Sequence, residues 1–170
     1  MPVIANTTII SNFASLNRLT LLKNLFGSIY IPEQVFEETQ SGLLQGYDFY
    51  KDLTALIFPF SGDGWLHLTA LKSTAEFKSF GELLVTLHAG EAACIAIAQH
   101  LNWTFLSDDK AARKLAAQLN VPVSGTLGVL LTLCKKNLLS MAEADHVLKQ
   151  MVKLGYHSPI SSVSELLKDK

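Results

Sequence analysis

The chain has 170 residues, of which 49% are hydrophobic and 17% are charged, and its formal net charge is −1. This length fits one domain with a full core, and the apolar composition excludes an intrinsically disordered chain. A net charge so close to zero creates no global field that attracts nucleic acid, so any such partner must bind to a local patch.

The two cysteines and the lack of long apolar runs limit the cellular context. Cys94 and Cys134 lie in apolar, helix-like segments without C-x-x-C pairing or nearby histidines at zinc spacing. We expect both to be reduced core residues. No apolar run approaches the roughly 18 residues that cross a bilayer, and the N-terminus lacks the pattern of a cleavable signal segment. The sequence therefore predicts a cytoplasmic protein with no membrane contact.

Short apolar runs alternate with helical patterns along the chain. The predicted strands are residues 3–5, 28–31, 65–69, 104–107 and 121–124. The predicted helices are residues 9–16, 19–26, 33–40, 73–87 with a break expected at Gly81, 91–100, 109–119, 126–136, 140–154 and 163–167. Glycines and Pro59 interrupt the pattern over residues 41–64, which we interpret as helical pieces and loop.

This alternation defines the expected fold class. Strands separated by helices of ten or more residues predict βαβ crossovers and a mostly parallel sheet that is covered on both faces. No internal repeat or linker divides the chain. We therefore expect an α/β fold, a three-layer α/β/α sandwich that forms a single domain over residues 1–170.

Acidic and amide side chains follow several of these apolar runs. The run at residues 104–107 ends in Asp108 and Asp109, the N-terminal run ends at Asn6, and Glu91 stands at the head of an apolar helix. Parallel strands deliver their last residues to one carboxyl edge, where ligand sites form. Oxygen ligands collected in this way suit a divalent metal.

Five segments follow one another along nearly the whole chain: VIANTTII at 3–10, IPEQVFEE at 31–38, AGEAA at 89–93, LSDDKAAR at 106–113 and VSGTLG at 123–128. Their ordered set resembles the PIN domain family, most closely the prokaryotic branch related to the VapC-type toxins of toxin–antitoxin pairs. The resemblance implies an α/β/α sandwich around a parallel sheet. It also implies a ribonuclease site of acidic residues that uses Mg²⁺ or Mn²⁺.

The resemblance carries over to particular positions. It implies a catalytic set of Asn6, Glu38, Glu91 and Asp108, and metal ligands at Asn6, Glu91, Asp108 and Asp109. Glu37 beside Glu38 leaves the identity of the helix acid open. The chain departs from the family at Asn6, where the family has an aspartate, because an amide oxygen brings no charge to a metal. The departure predicts reduced nuclease activity.

Four further residues are candidates for nucleic-acid binding. Lys110, Arg113 and Lys114 share one helix face and form a phosphate patch, and Thr126 stands at a helix N-terminus. All of the candidates also have an ordinary structural interpretation. The three basic residues can be a solvated helix face, and the glutamates can be ordinary helix acids. Helix capping explains the remaining candidates, which are Asn6, Asp108, Asp109 and Thr126.

Two functions of different classes remain open. The first is a metal-dependent endoribonuclease, with RNA as its substrate, a cognate antitoxin protein as its partner and a homodimer as its assembly. The second is a catalytically degenerate PIN domain that binds RNA or a protein. Histidine catalysis is not favoured, since no nucleophile motif accompanies the scattered residues His67, His88, His100, His146 and His157. No P-loop or G-x-G-x-x-G motif follows the first strand.

Overall fold

The structure, a computed structural model, describes residues 1–168. Six strands form its centre: β1 (Val3–Ala5), β2 (Ile29–Pro32), β3 (Ile57–Phe58), β4 (Leu66–Thr69), β5 (Thr104–Leu106) and β6 (Val123–Ser124). They make one sheet in the order β3-β4-β2-β1-β5-β6, in which every pairing is parallel. The predicted α/β class with a parallel central sheet is confirmed.

Eight α-helices accompany the sheet within residues 1–168. They are α1 (Thr7–Ala14), α2 (Leu19–Phe26), α3 (Glu33–Leu44), α4 (Thr74–Leu83), α5 (Ala89–Leu101), α6 (Lys110–Gln118), α7 (Thr126–Lys135) and α8 (Met141–Lys153). Short 3₁₀ helices cover Asp48–Tyr50, Leu53–Leu56 and Val163–Leu167. None of the described helices is both long and apolar enough to cross a bilayer.

The centre of the sheet fixes the position of the candidate site. All three residues of β1 are buried, and β1 lies between β2 and β5. Helix α5 packs against these three strands through the continuously buried run 92–98, which is rich in alanine. Small side chains let the helix approach the strands closely, so the segments that follow β1 and β5 emerge side by side at the carboxyl edge.

The sequence prediction differs from the structure mainly around the glycines. Helix α3 continues past residue 40 to Leu44 and includes Gly42, whose missing Cβ leaves room for the Tyr50 ring; an added Cβ would lie 2.7 Å from that ring. Helix α4 passes through Gly81 without a break and ends at Leu83, before the predicted residue 87. Strand β3 was not predicted, because two residues at a sheet edge are too short to show alternation.

Asparagine, rather than glycine, ends several helices. Asn17, Asn102, Asn120 and Asn137 have positive φ angles of 54° to 58°, just after α1, α5, α6 and α7. Among residues with a side chain, asparagine tolerates this left-handed conformation best. It lies one to three residues after the end of each helix and keeps the following connection short.

Candidate active site

A buried pair of polar side chains joins the ends of β1 and β5. The Asn6 backbone N–H donates to the Leu106 carbonyl at 3.2 Å, and Asn6 Nδ2 donates to Ser107 Oγ at 2.8 Å. Asn6 is 1% exposed and Ser107 is 0% exposed. Buried polar groups are stable only when they are hydrogen-bonded, so this pair sets how the two strand ends lie against each other.

Asn6 also caps α1. Its Oδ1 atom accepts hydrogen bonds from Thr8 Oγ1 at 2.7 Å and from the Ile9 backbone N–H at 3.5 Å. These bonds use both lone pairs of the amide oxygen. The structure therefore gives Asn6 the capping role of the ordinary interpretation, and its oxygen reaches a metal only if one of these bonds is given up.

Asp108 is held by a helix other than the one that follows it. Its Oδ1 accepts from the Thr126 backbone N–H at 2.9 Å, and its Oδ2 accepts from Thr126 Oγ1 at 2.5 Å and from Asn12 Nδ2 at 3.0 Å. The N-cap of α7 is Gly125, which has no side chain to cap the helix. Asp108 supplies the missing acceptor, and its charge complements the N-terminal end of the helix dipole.

Asp109 and Thr126 have structural tasks of their own. Asp109 caps α6, because its Oδ1 accepts from the Ala112 backbone N–H at 2.8 Å. Its second oxygen is left without a described hydrogen-bond donor within residues 1–168. Thr126 is 0% exposed and gives both its N–H and its hydroxyl to Asp108. Thr126 therefore positions Asp108. Because Thr126 is fully buried, it exposes no atom for the predicted contact with phosphate.

Glu38, and not Glu37, is the α3 acid that reaches the carboxyl edge. Its Oε1 accepts from the Gly90 backbone N–H at 2.9 Å, and its Oε2 accepts from Thr7 Oγ1. Glu37, at the preceding position of the helix, is exposed. A Cβ on Gly90 would lie 2.6 Å from Glu38 Oε1, so the close approach of α3 and α5 requires glycine at this position.

Glu91 completes a cluster of like charges. Its carboxylate accepts from the His88 backbone N–H at 3.3 Å, closing a capping box at the start of α5. Burial raises the pKa of Glu91, and the charges of Asp109 and, more weakly, Glu38 raise it further, while the hydrogen bond from His88 and the charge of His88 lower it. We call Glu38, Glu91 and Asp109 the acidic cluster.

The donor chemistry of this edge suits a hard cation. Its side chains offer carboxylate, amide and hydroxyl oxygens, which Mg²⁺ and Mn²⁺ prefer to sulfur or imidazole. Within residues 1–168, no three His, Cys, Asp or Glu side chains form a group placed to hold a metal ion directly. Mg²⁺ keeps several of its own water molecules in proteins. The residues thus fit a hydrated cation that is partly held through water.

Basic residues lie on the far side of Asp108. Arg113 is half-buried, and its Nη1 donates to the Ser107 carbonyl at 2.9 Å, while Lys110 and Lys114 are exposed. A cavity of about 220 Å³, which we call the basic cavity, is lined by Asp108, Lys110, Arg113, Tyr156 and His157, among others. Lys114 does not line this cavity, so two of the three basic residues of the predicted patch face Asp108.

Three residues of this site were not predicted from the sequence. Asn12 donates a hydrogen bond to Asp108. The only feature of the sequence that points to Asn12 is its position four residues after Thr8, which places both residues on the same face of α1. Ser107 immediately precedes the acid pair. Tyr156 lies in the segment after α8 and gave no signal. Burial, followed by the charge of Asp108, raises the pKa of Tyr156, which indicates that its phenol lies against that carboxylate.

These features define an α/β protein whose parallel sheet gathers acids and a buried amide at its carboxyl edge. The family model described as "DUF3368: PIN domain" matches residues 2–170. The chain belongs to the PIN domain family, as its five sequence segments indicated.

The comparison with solved structures agrees with this assignment. The fold is similar to the crystal structure of VapBC2 from Rickettsia felis bound to a DNA fragment from their promoter, with a TM-score of 0.52 and 16% sequence identity. The match covers 74% of this chain and 98% of that chain. Identity this low shows a shared fold alone. No curated protein matches the chain.

The raised pKa of Glu91 predicts how stability depends on pH. Raising the pKa above its ordinary value of 4.5 means that folding disfavours the ionised form. Stability is therefore lost as the pH rises through the raised pKa. Glu91→Gln keeps an acceptor for His88 and removes this loss. We expect the variant to melt about 1–3 °C above the parent protein near pH 7, and at the same temperature near pH 4.

Thermal melts monitored by circular dichroism at both pH values measure this difference. Glu37→Gln, on the exposed neighbour of Glu38, is the control and should leave the melting temperature unchanged at either pH. A gain for Glu91→Gln that is equally large near pH 4 would contradict the assigned destabilisation of the ionised carboxylate by burial and by neighbouring charges.

Proposed function

We propose that this chain is a metal-dependent endoribonuclease of the PIN type. The observation that carries the proposal is the acidic cluster: α3, the start of α5 and the start of α6 each bring one carboxylate to the same edge, although the charges repel one another. A fold maintains such repulsion at sites that use it. PIN domains of the VapC type are generally nucleases, which agrees with this interpretation.

Each residue of the edge has a task in phosphodiester hydrolysis. Glu38, Glu91 and Asp109, together with Asp108, would hold Mg²⁺ or Mn²⁺, which activates water and stabilises charge on the phosphate when bound. Thr126 and Asn12 fix the orientation of Asp108 toward the basic cavity. Arg113 and Lys110 would bind the RNA backbone at that cavity, which supplies the local positive patch that the neutral chain lacks overall.

A second function is favoured by one specific observation. The Asn6 oxygen is fully engaged in capping α1, and every acid of the edge accepts at least one hydrogen bond from a neutral donor. An arrangement in which each acid already has a donor without a cation suits a degenerate PIN domain that binds RNA or a protein partner without cleaving RNA.

We also propose that the protein acts in the cytoplasm as the toxin of a toxin–antitoxin pair. Its structural neighbour is a VapBC2 complex bound to a DNA fragment from their promoter, and the toxin–antitoxin complex in that structure supports a protein partner for this chain as well. Helix α4 and the turn after it expose Phe77, Leu84 and Val85, at 55%, 43% and 84% of their surface. Apolar side chains clustered on one surface are available for a homodimer or an antitoxin contact.

Removing single carboxylates tests the nuclease proposal. We expect Glu91→Gln to lower cleavage of structured RNA with Mg²⁺ or Mn²⁺ by at least about a hundredfold, because it removes a charged ligand. Asp108→Asn should lower cleavage to a similar extent. It should also lower the melting temperature, since one amide oxygen replaces the two acceptors that Thr126 and Asn12 use.

Gel-based cleavage assays with and without chelator measure these activities, and Glu82→Gln, an exposed acid of α4, serves as the control. Cleavage at the parental rate by both Glu91→Gln and Asp108→Asn rules out this mechanism. Stable RNA binding by the parent protein without any cleavage supports the binding-module alternative.

Asn6→Asp separates the two functions. The new carboxylate is buried at the position where Asn6 is 1% exposed, so it should lower the melting temperature without metal. A bound cation should raise the melting temperature again. The attraction between the new carboxylate and a cation 4 Å away is about 4 kcal/mol at an effective dielectric near 20, and desolvation of the carboxylate offsets part of it. We therefore expect Mg²⁺ to bind about ten times more tightly and cleavage to rise to a matching extent.

Calorimetric titration with Mg²⁺, melts with and without Mg²⁺, and the cleavage assay follow these effects, with Asn24→Asp as a charge-matched control on the exposed face of α2. Unchanged metal affinity and unchanged cleavage in Asn6→Asp would show that the site is not an attenuated nuclease.

A further inference from the structure

A second cavity adjoins the acidic cluster on the side away from the basic residues. It measures about 490 Å³, within the range of about 300–1,000 Å³ that is typical of small-molecule sites. Thr7, Glu38 and Ala89 form its boundary with the acidic cluster, and α3 and the turn after it supply the remaining wall. We call it the amide cavity, because Gln34 and Gln45 line it.

The chemistry of the amide cavity excludes phosphate. Its lining contains Glu37 and Glu38 and, among the described residues, no lysine, arginine or histidine. The phosphates of a bound strand are repelled here and attracted by Lys110 and Arg113 at the basic cavity. A ligand of the amide cavity must therefore be uncharged or offer hydrogen-bond donors.

Gln34 supplies an acceptor without a partner. Its Oε1 atom is buried, and no donor within residues 1–168 reaches it. A buried polar atom without a hydrogen bond is unfavourable, so rotation of the Gln34 side chain into the cavity, where a bound N–H group pairs with its amide oxygen, removes this cost. Ser41 and Gln45 add further polar groups around the same space.

Aromatic side chains form another part of the cavity wall. The Tyr47 side chain is 53% exposed, and its ring contacts a group of aromatic rings that includes Phe49, at a centroid distance of 5.9 Å. Tyr50 is buried behind it. An exposed ring of this kind is a stacking surface for a flat, unpaired nucleobase.

We propose that the amide cavity binds one unpaired base of the RNA and prefers a base with an exocyclic amino group. This inference deepens the proposed function and rests on it. The amino group of adenine, cytosine or guanine donates to Gln34 Oε1 or to Glu37. Uracil has no exocyclic amino group. Its single ring N–H lies between two carbonyl oxygens, which meet the acceptors of the cavity unfavourably, so uracil is disfavoured. The backbone then runs past the acidic cluster to the basic cavity.

Binding without catalysis tests this preference. Fluorescence anisotropy in the presence of chelator measures the affinity of the full chain for adenine, cytosine and uracil homo-oligomers of roughly ten nucleotides. We expect the first two to bind about five to ten times more tightly than the uracil oligomer. Gln34→Leu should bring all three within about twofold, and Tyr47→Ala should weaken all three by about fivefold.

Matched controls separate these effects from general loss of structure. Gln118→Leu places the same change on the exposed end of α6, and Phe60→Ala removes an aromatic ring of similar exposure, 52%, from the turn after β3. Both should keep the affinities and the base preference of the parent protein.

Equal binding of the three oligomers overturns the inference, and so does a base preference that survives Gln34→Leu. Binding of a labelled arginine-rich peptide that is lost in Gln34→Leu also overturns it, because this result would assign the cavity to a protein partner. A parallel cleavage assay with Mg²⁺ distinguishes the two proposals. Cleavage without base preference contradicts only the base site. Base preference that Gln34→Leu removes, without any cleavage, supports the base site and contradicts the nuclease proposal.

Discussion

A buried polar junction between the ends of β1 and β5 is the constraint on which the rest of the site depends. Of the five buried polar or charged side chains among residues 1–168, three lie there: Asn6, Ser107 and Thr126. Each buried polar group without a partner costs about 1–3 kcal/mol, so the two strand ends are stable only where these hydrogen bonds form together. The junction thereby fixes Asp108 between α1 and the start of α7, with its charge stabilised by neutral donors and a helix N-terminus.

The same junction divides the acids into two groups. Asp108 is held by Thr126 and Asn12, whereas Asp109 and Glu38 repel the charge of Glu91 beside it. The asparagine at position 6 belongs to this balance, because its amide donates to Ser107 while its oxygen caps α1. An aspartate can accept from the same groups only by adding a fifth acidic charge to a crowded edge. In the absence of a cation, the neutral amide is the less strained choice.

Much of this could be predicted from the sequence, and the remainder has physical reasons. Apolar runs give β1 and β5 their place in a parallel sheet, and the ordered segments indicate Asp108, Glu91 and an acid near residue 38. The choice between Glu37 and Glu38 depends on how α3 faces Gly90, which no local pattern contains. Tyr156 and the amide cavity depend on the packing of the C-terminal segment and of residues 41–50, where glycines hide the periodicity. Capping side chains also resemble ligands in sequence, and at Asn6 and Asp109 they cap helices.

The central claim is that a hard cation binds at this carboxyl edge, and paramagnetic broadening tests it independently of activity. Mn²⁺ added at substoichiometric amounts to ¹⁵N-labelled protein broadens the amide resonances nearest to the bound ion. Thr7, Gly90 and Asp109 should broaden first, excess Mg²⁺ should reverse the effect, and distant amides such as those of Gly27 and Gly64 should stay sharp. Broadening that is uniform, or strongest around another part of the surface, would contradict it.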